Sequence, residues 1–157
     1  MFKKLNDLSI ILGLGLFTAQ AFAFPCFITM VKGSCWKDYS LAVDVLDAEK
    51  DKVLMTITVP NGELWSRQSF EASPKQRFML RATFTPVFWK TGVGVPYYAK
   101  RYWSLPETVE GETVAWNVGA CFPGDFSGVP MPPEAGANCA CDKREIPQVK
   151  PDQSYGL

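Results

Sequence analysis

The sequence predicts an all-β protein: an antiparallel sandwich of immunoglobulin-like general architecture with an extended proline-rich C-terminal tail. Three observations carry this. Several segments alternate apolar and polar residues with the period of two that a half-buried strand requires. Turn signals separate these segments about every eight to twelve residues, the spacing of a sandwich. After residue 23, no stretch repeats apolar residues at helical spacing over three turns, and β-branched and aromatic side chains dominate the candidate strands, which disfavours a helical bundle.

The chain opens with Lys3 and Lys4, then an apolar run from Leu8 to Phe17, then Ala21-Phe22-Ala23. This is the layout of a secretory signal peptide cut after Ala23. The apolar run is about ten residues, roughly half of what a membrane-spanning helix needs, so residues 1–23 predict export and not anchorage. Cys26 lies near the cut but follows Phe24 and Pro25. A lipidated cysteine directly follows a small residue, so Cys26 is expected to be a structural thiol.

Residues 24–121 are expected to form the sandwich. Phe27 to Val31 is a short apolar strand. Tyr39 to Leu46 places Leu41, Val43 and Val45 on one face and Ser40, Ala42 and Asp44 on the other. Glu49-Lys50-Asp51-Lys52 turns the chain into Val53 to Val59, again alternating. Pro60-Asn61-Gly62 then predicts a hairpin, because both central residues tolerate positive φ, with the return strand at Glu63 to Phe70. These three runs read as an antiparallel meander. Beyond a turn at Ser73-Pro74-Lys75, Arg77 to Thr85 alternates most cleanly, with Phe78, Leu80, Ala82 and Phe84 facing inward. Further strands are expected at Tyr97 to Ser104 and Thr113 to Val118, around a polar turn from Glu107 to Glu112. A transmembrane barrel is the competing all-β architecture, but Arg77, Arg81, Lys100 and Arg101 interrupt the lipid-facing alternation it would need.

Residues 122–157 change composition, with six prolines from Pro123 to Pro151. Such a segment is a poor partner for sheet ladders and is expected to run as a tail partly fastened by cysteines. All five cysteines (Cys26, Cys35, Cys121, Cys139 and Cys141) follow the cleavage site, and in an exported chain they are disulfide candidates. An odd number leaves one thiol over. Sequence does not fix connectivity, but Cys26 with Cys35 would close a short loop, and Cys121 with Cys139 or Cys141 would pin the tail.

The chain contains no histidine. That removes Ser-His-Asp and Cys-His mechanisms, histidine metal sites and the usual proton shuttle near neutral pH. Losing Lys3, Lys4 and Asp7 with residues 1–23 leaves 14 basic and 15 acidic side chains of the original 16 and 16. That balance does not recruit nucleic acid or an anionic membrane through bulk charge. Cys139-Ala140-Cys141 is better read as structural than as a redox or zinc pair. The acidic run Asp38, Asp44, Asp47, Glu49 and Asp51 matches no calcium loop and no glycosidase pair, and is read as a solvated turn. Gly92-x-Gly94 precedes no helix, so it is no phosphate loop. No catalytic residue, metal site or cofactor is expected.

The binding candidates are aromatic: Phe88, Trp89, Tyr97, Tyr98, Tyr102 and Trp103, bracketing Gly92-Val93-Gly94-Val95-Pro96. Trp and Tyr supply large, rigid contact area with a polar tip, and the same residue types also fill sandwich cores. Neighbouring Lys90, Lys100 and Arg101 place at least one side of this cluster in water.

A signal peptide followed by a compact β-rich domain carrying Cys26, Cys35, Cys121 and a Cys139-Ala140-Cys141 tail resembles small periplasmic accessory subunits of large envelope machines. Those decorating the outer-membrane core complex of type IVB secretion systems are an example. The resemblance is one of general make-up over the mature chain and assigns no functional residue. It implies a non-enzymatic subunit, periplasmic, outer-membrane-associated or released, in a hetero-oligomeric complex with other envelope proteins. It implies no nucleic-acid partner and no integral membrane segment. A free secreted binder of a carbohydrate, or an enzyme inhibitor, is the alternative.

Overall fold

The computed structural model describes residues 23–107, 115–136 and 139–149. Two sheets pack face to face. The first has three strands, in the order β4 (Trp65–Ala72), β1 (Phe24–Lys32), β8 (Trp116–Phe122). The second runs β3 (Val53–Val59), β2 (Ser40–Asp47), β5 (Arg77–Thr85), β6 (Tyr97–Tyr98), with β7 (Trp103–Ser104) also on β5. The fold is thus an all-β sandwich, antiparallel in every pair except β1 with β8, which is parallel. No helix among the described residues is long and apolar enough to cross a membrane. The expected signal peptide lies outside the described residues up to Ala23.

β1 organises the first sheet. Its residues from Cys26 to Lys32 are all buried, the signature of a strand covered on both faces. Cys26, Ile28 and Met30 point into the core. The other face is closed by the segment from Cys139 onward: Lys143, Ile146 and Pro147 line a cavity with Thr29, Val31 and Gly119, and Arg67 Nη2 donates to the Pro147 carbonyl at 2.8 Å. Gly33 permits this closure, because a Cβ there would overlap the Cys139 carbonyl oxygen.

The Asn61-Gly62 turn is not a hairpin. β3 pairs with β2, whereas β4 pairs with β1 in the other sheet, so the expected meander ends at β3. Gly62 takes φ of 87°, as the turn signal requires, but the turn's hydrogen bonds go elsewhere. Asn61 Nδ2 donates to Asp38 O and Gly62 N to Lys37 O. β1 explains the crossing: a strand buried on both faces must pair its main-chain groups on both sides, and β4 supplies one side.

The long strand expected at Tyr97 to Ser104 is two short pieces, β6 and β7, separated by Ala99 to Tyr102. Of the expected strand Thr113 to Val118 and the turn before it, residues 108–114 lie outside the described residues; the last strand described is Trp116–Phe122. Phe122 and Phe126 are buried in the core. At the centre of that core, Trp36 meets Phe84 and Phe122 edge-on, each with ring centroids 4.7 Å apart.

The disulfides are Cys35–Cys139 and Cys121–Cys141. The short loop considered for Cys26 with Cys35 does not form: Cys26 is a free thiol within the core face of β1, with 0% exposure. Of the two tail options for Cys121, Cys141 is the partner. Both bridges fasten the same stretch, 139–141, over the open end of β1.

Candidate functional site

The segment between β5 and β7 carries the exposed apolar surface. Its backbone is extended where aromatic residues stand next to each other, so neighbouring side chains point to opposite sides. Each of the three aromatic pairs is divided in this way. Phe88 turns inward, 5.3 Å from Tyr39 and 5.0 Å from Phe84, and Trp89 is 59% exposed. Tyr97 stacks on Phe84 at 5.7 Å, and Tyr98 is 44% exposed. Trp103 is buried against Phe78, and Tyr102 is half exposed. Of the six candidates, Phe88, Tyr97 and Trp103 therefore belong to the core or its margin. Trp89, Tyr98 and Tyr102 face water.

Three further features of this surface complete the site. Val93 and Val95 are exposed at the tip of the loop, where Gly94 adopts φ of 71° and favours glycine. The guanidinium of Arg77 lies 5.1 Å over the Tyr102 ring, and that of Arg101 lies 4.7 Å over Trp103. Finally, residues 72–106 contain Lys75, Arg77, Arg81, Lys90, Lys100 and Arg101 and no acidic residue. Among the described residues, Arg77, Lys90, Lys100 and Arg101 make no ion pair with a carboxylate. In this strip of exposed rings, Tyr98 lies opposite Arg81 of β5 and Tyr102 under the guanidinium of Arg77, while Trp89 stands in the segment that follows β5.

A cross-strand row fixes the middle of the strip. Thr56, Asp44, Arg81 and Tyr98 are consecutive partners in register across β3, β2, β5 and β6. Thr56 Oγ1 donates to Asp44 Oδ1 at 2.6 Å, and Arg81 Nη2 donates to Asp44 Oδ2 at 2.8 Å. Burial pushes the Asp44 carboxyl up, but the bonds from Thr56 and Arg81 and the Arg81 charge together hold it below its ordinary value. Hydrogen bonding to Asp44, then to Tyr98, raises the Arg81 pKa and keeps its charge in place beside Tyr98.

The acidic run is dispersed. Asp44 serves this row, while Asp47 Oδ1 accepts from the main-chain N–H groups of Glu49 and Lys50 and its Oδ2 accepts from Gln76 Nε2. No group of three or more acidic or cysteine side chains suited to a metal occurs among the described residues. No known protein family, curated protein or solved structure matches this chain, so function is read from the surface itself.

Proposed function

We propose that this protein is an exported, non-catalytic protein-contact module that docks an acidic neighbour through Trp89, Tyr98, Tyr102 and the basic residues around them. We place it as an accessory subunit of a bacterial envelope or secretion complex, in the periplasm, at the outer membrane or released. The observation that carries this reading is the exposed aromatic strip in a window with six basic and no acidic residues. Large aromatic side chains with arginine among them are the composition of binding hot spots, and charge complementarity selects and orients the partner. Two disulfides in a small domain are compatible with an oxidising compartment.

The test is comparative affinity capture from gently solubilised envelopes with the processed protein and a Trp89→Ala/Tyr102→Ala variant. Stoichiometric envelope proteins recovered with the wild type, lost with the variant and weakened by added salt support docking through this strip. Equal recovery with both proteins refutes it. Exposed tryptophan and tyrosine rings are also platforms for sugar rings. A bait that runs alone but binds soluble glycans through Trp89 would favour the free carbohydrate binder.

A further inference from the structure

We propose that the cavity between β1 and the C-terminal segment binds a small oxyanion of the phosphate class, held between Arg67 and Lys143. Three strands set its floor. Arg67 of β4, Thr29 of β1 and Gly119 of β8 are partners in register across the first sheet, so all three lie on the face turned away from the core, opposite to Cys26, Ile28 and Met30. Arg67 Nε donates to Thr29 Oγ1 at 2.7 Å and Nη2 donates to the Pro147 carbonyl at 2.8 Å. These bonds hold the guanidinium over the row. At the other end of the row there is no side chain: a Cβ at Gly119 would stand 3.8 Å from Lys143 Nζ, so the ammonium lies over the position that the glycine leaves open. Arg67 and Gly119 are two strand spacings apart, about 10 Å. The two positive charges therefore flank the Thr29 hydroxyl.

The chemistry of the lining selects the occupant. Among the described residues, Lys143 makes no ion pair, and the neighbouring Asp142 is taken by Arg144 at 2.6 Å. Thr29 Oγ1 accepts from Arg67, which leaves its own proton to donate. No acidic side chain among the described residues lines the cavity, whose volume is about 170 Å³. Pockets for drug-sized ligands span about 300 to 1,000 Å³, so the occupant is a single small oxyanion and not a nucleotide. A guanidinium fork, an ammonium and a hydroxyl are the donors from which phosphate oxygens accept. The disulfides bring Lys143 to this place: Cys35–Cys139 and Cys121–Cys141 anchor the chain just before it, and Ile146 N donates to Lys143 O at 3.3 Å. The site lies on the sheet opposite to the aromatic strip and does not depend on it.

Isothermal titration calorimetry of the full oxidised chain with inorganic phosphate, at an ionic strength held constant with sodium chloride, should give one saturable site. Lys143→Gln should weaken binding about tenfold, the loss of one hydrogen bond between charged groups. Arg67→Lys keeps a positive charge but loses the fork, and should weaken binding as well. Near-UV circular dichroism establishes that each variant keeps its fold. Lys52→Gln, which changes an exposed lysine just before β3, should leave the affinity unchanged. Absence of saturable phosphate binding, or the same affinity in Lys143→Gln as in wild type, overturns the proposal. So does an equal loss in Lys52→Gln, which would mean attraction by diffuse surface charge.

Discussion

Lys32 donates from a fully buried Nζ to the main-chain carbonyl of Tyr39 at 2.6 Å, and the same ammonium reaches the carbonyls of Pro60 at 2.8 Å and Lys37 at 3.4 Å. It thereby ties the end of β1 to the start of β2 and the end of β3. Lys32→Met leaves the Tyr39 carbonyl without this donor, while Gly62 N still donates to Lys37 O and Glu63 N to Pro60 O, and should cost about 2 kcal/mol, read from urea denaturation. The pH dependence has a definite sign. Burial lowers the Lys32 pKa from 10.5 to about 8, against the raising pull of Asp38 and Glu63. Between those values the unfolded chain binds more protons, so this lysine's contribution to stability grows as pH rises through the window. The margin of wild type over Lys32→Met should widen from pH 8 to 10.5, and a constant margin would refute the burial effect.

The two disulfides should differ in worth because they close different loops. Cys35 and Cys139 are 104 residues apart, whereas Cys121 and Cys141 are 20 apart. On loop-closure entropy, replacing the first pair by alanine should cost about 4 to 5 kcal/mol and the second about 3. Both secure residues 139–141, so the losses should not add. Denaturant midpoints of the two double-alanine variants and the quadruple variant check both the order and the coupling.

Alternation of residue types fixes a strand's extent and facing, but not its neighbour. Val53–Val59 and Arg77–Thr85 occupy the bounds their patterns predict; Arg77–Thr85 buries one face and wets the other, but in Val53–Val59 a bulge at Leu54 leaves Val53 exposed and packs Leu54 beside Met55 on the core. Asn61-Gly62 specifies a tight turn and nothing about which sheet the chain enters next. That depends on β1, whose apolar run from Cys26 to Val31 is interrupted only by Thr29 and needs cover on both faces and partners on both sides. The cover comes from residues beyond Cys139, over a hundred positions away, which no local pattern encodes. The aromatic site was more legible. Residues paired as Phe88-Trp89, Tyr97-Tyr98 and Tyr102-Trp103 must split between core and solvent in extended backbone, and only the inward member of each pair required the structure. The absence of carboxylates from residues 72–106 is itself a sequence signal, obscured by the neutral total.

That division predicts a contrast in stability. Trp103→Ala removes a side chain stacked on Phe78, and Phe88→Ala removes one packed on Tyr39 and Phe84. Trp103→Ala should cost about 3 to 5 kcal/mol, and Phe88→Ala, which is only partly buried, somewhat less. Trp89→Ala and Tyr102→Ala should stay within about 1 kcal/mol of wild type, as exposed positions do. Chemical denaturation of the four variants checks the assignment; a large loss at Trp89 would place that ring in the core.

Acid should weaken the domain through two carboxylates with different jobs. Burial raises Asp47, but bonds from the Glu49 and Lys50 N–H groups and from Gln76, with the Lys50 charge, bring it below its ordinary 3.8. Asp44 is lowered likewise by Thr56 and Arg81. A lowered native pKa means the unfolded state takes up protons first, so each group's stabilisation is complete above 3.8 and is lost as pH falls through its native value. Asp47→Asn keeps one acceptor for the turn but removes the charge. Its denaturation midpoint should lie below that of wild type at pH 7, and the gap should close toward pH 2. A gap that persists in acid would mean that packing, and not the carboxylate's charge, holds the turn after β2.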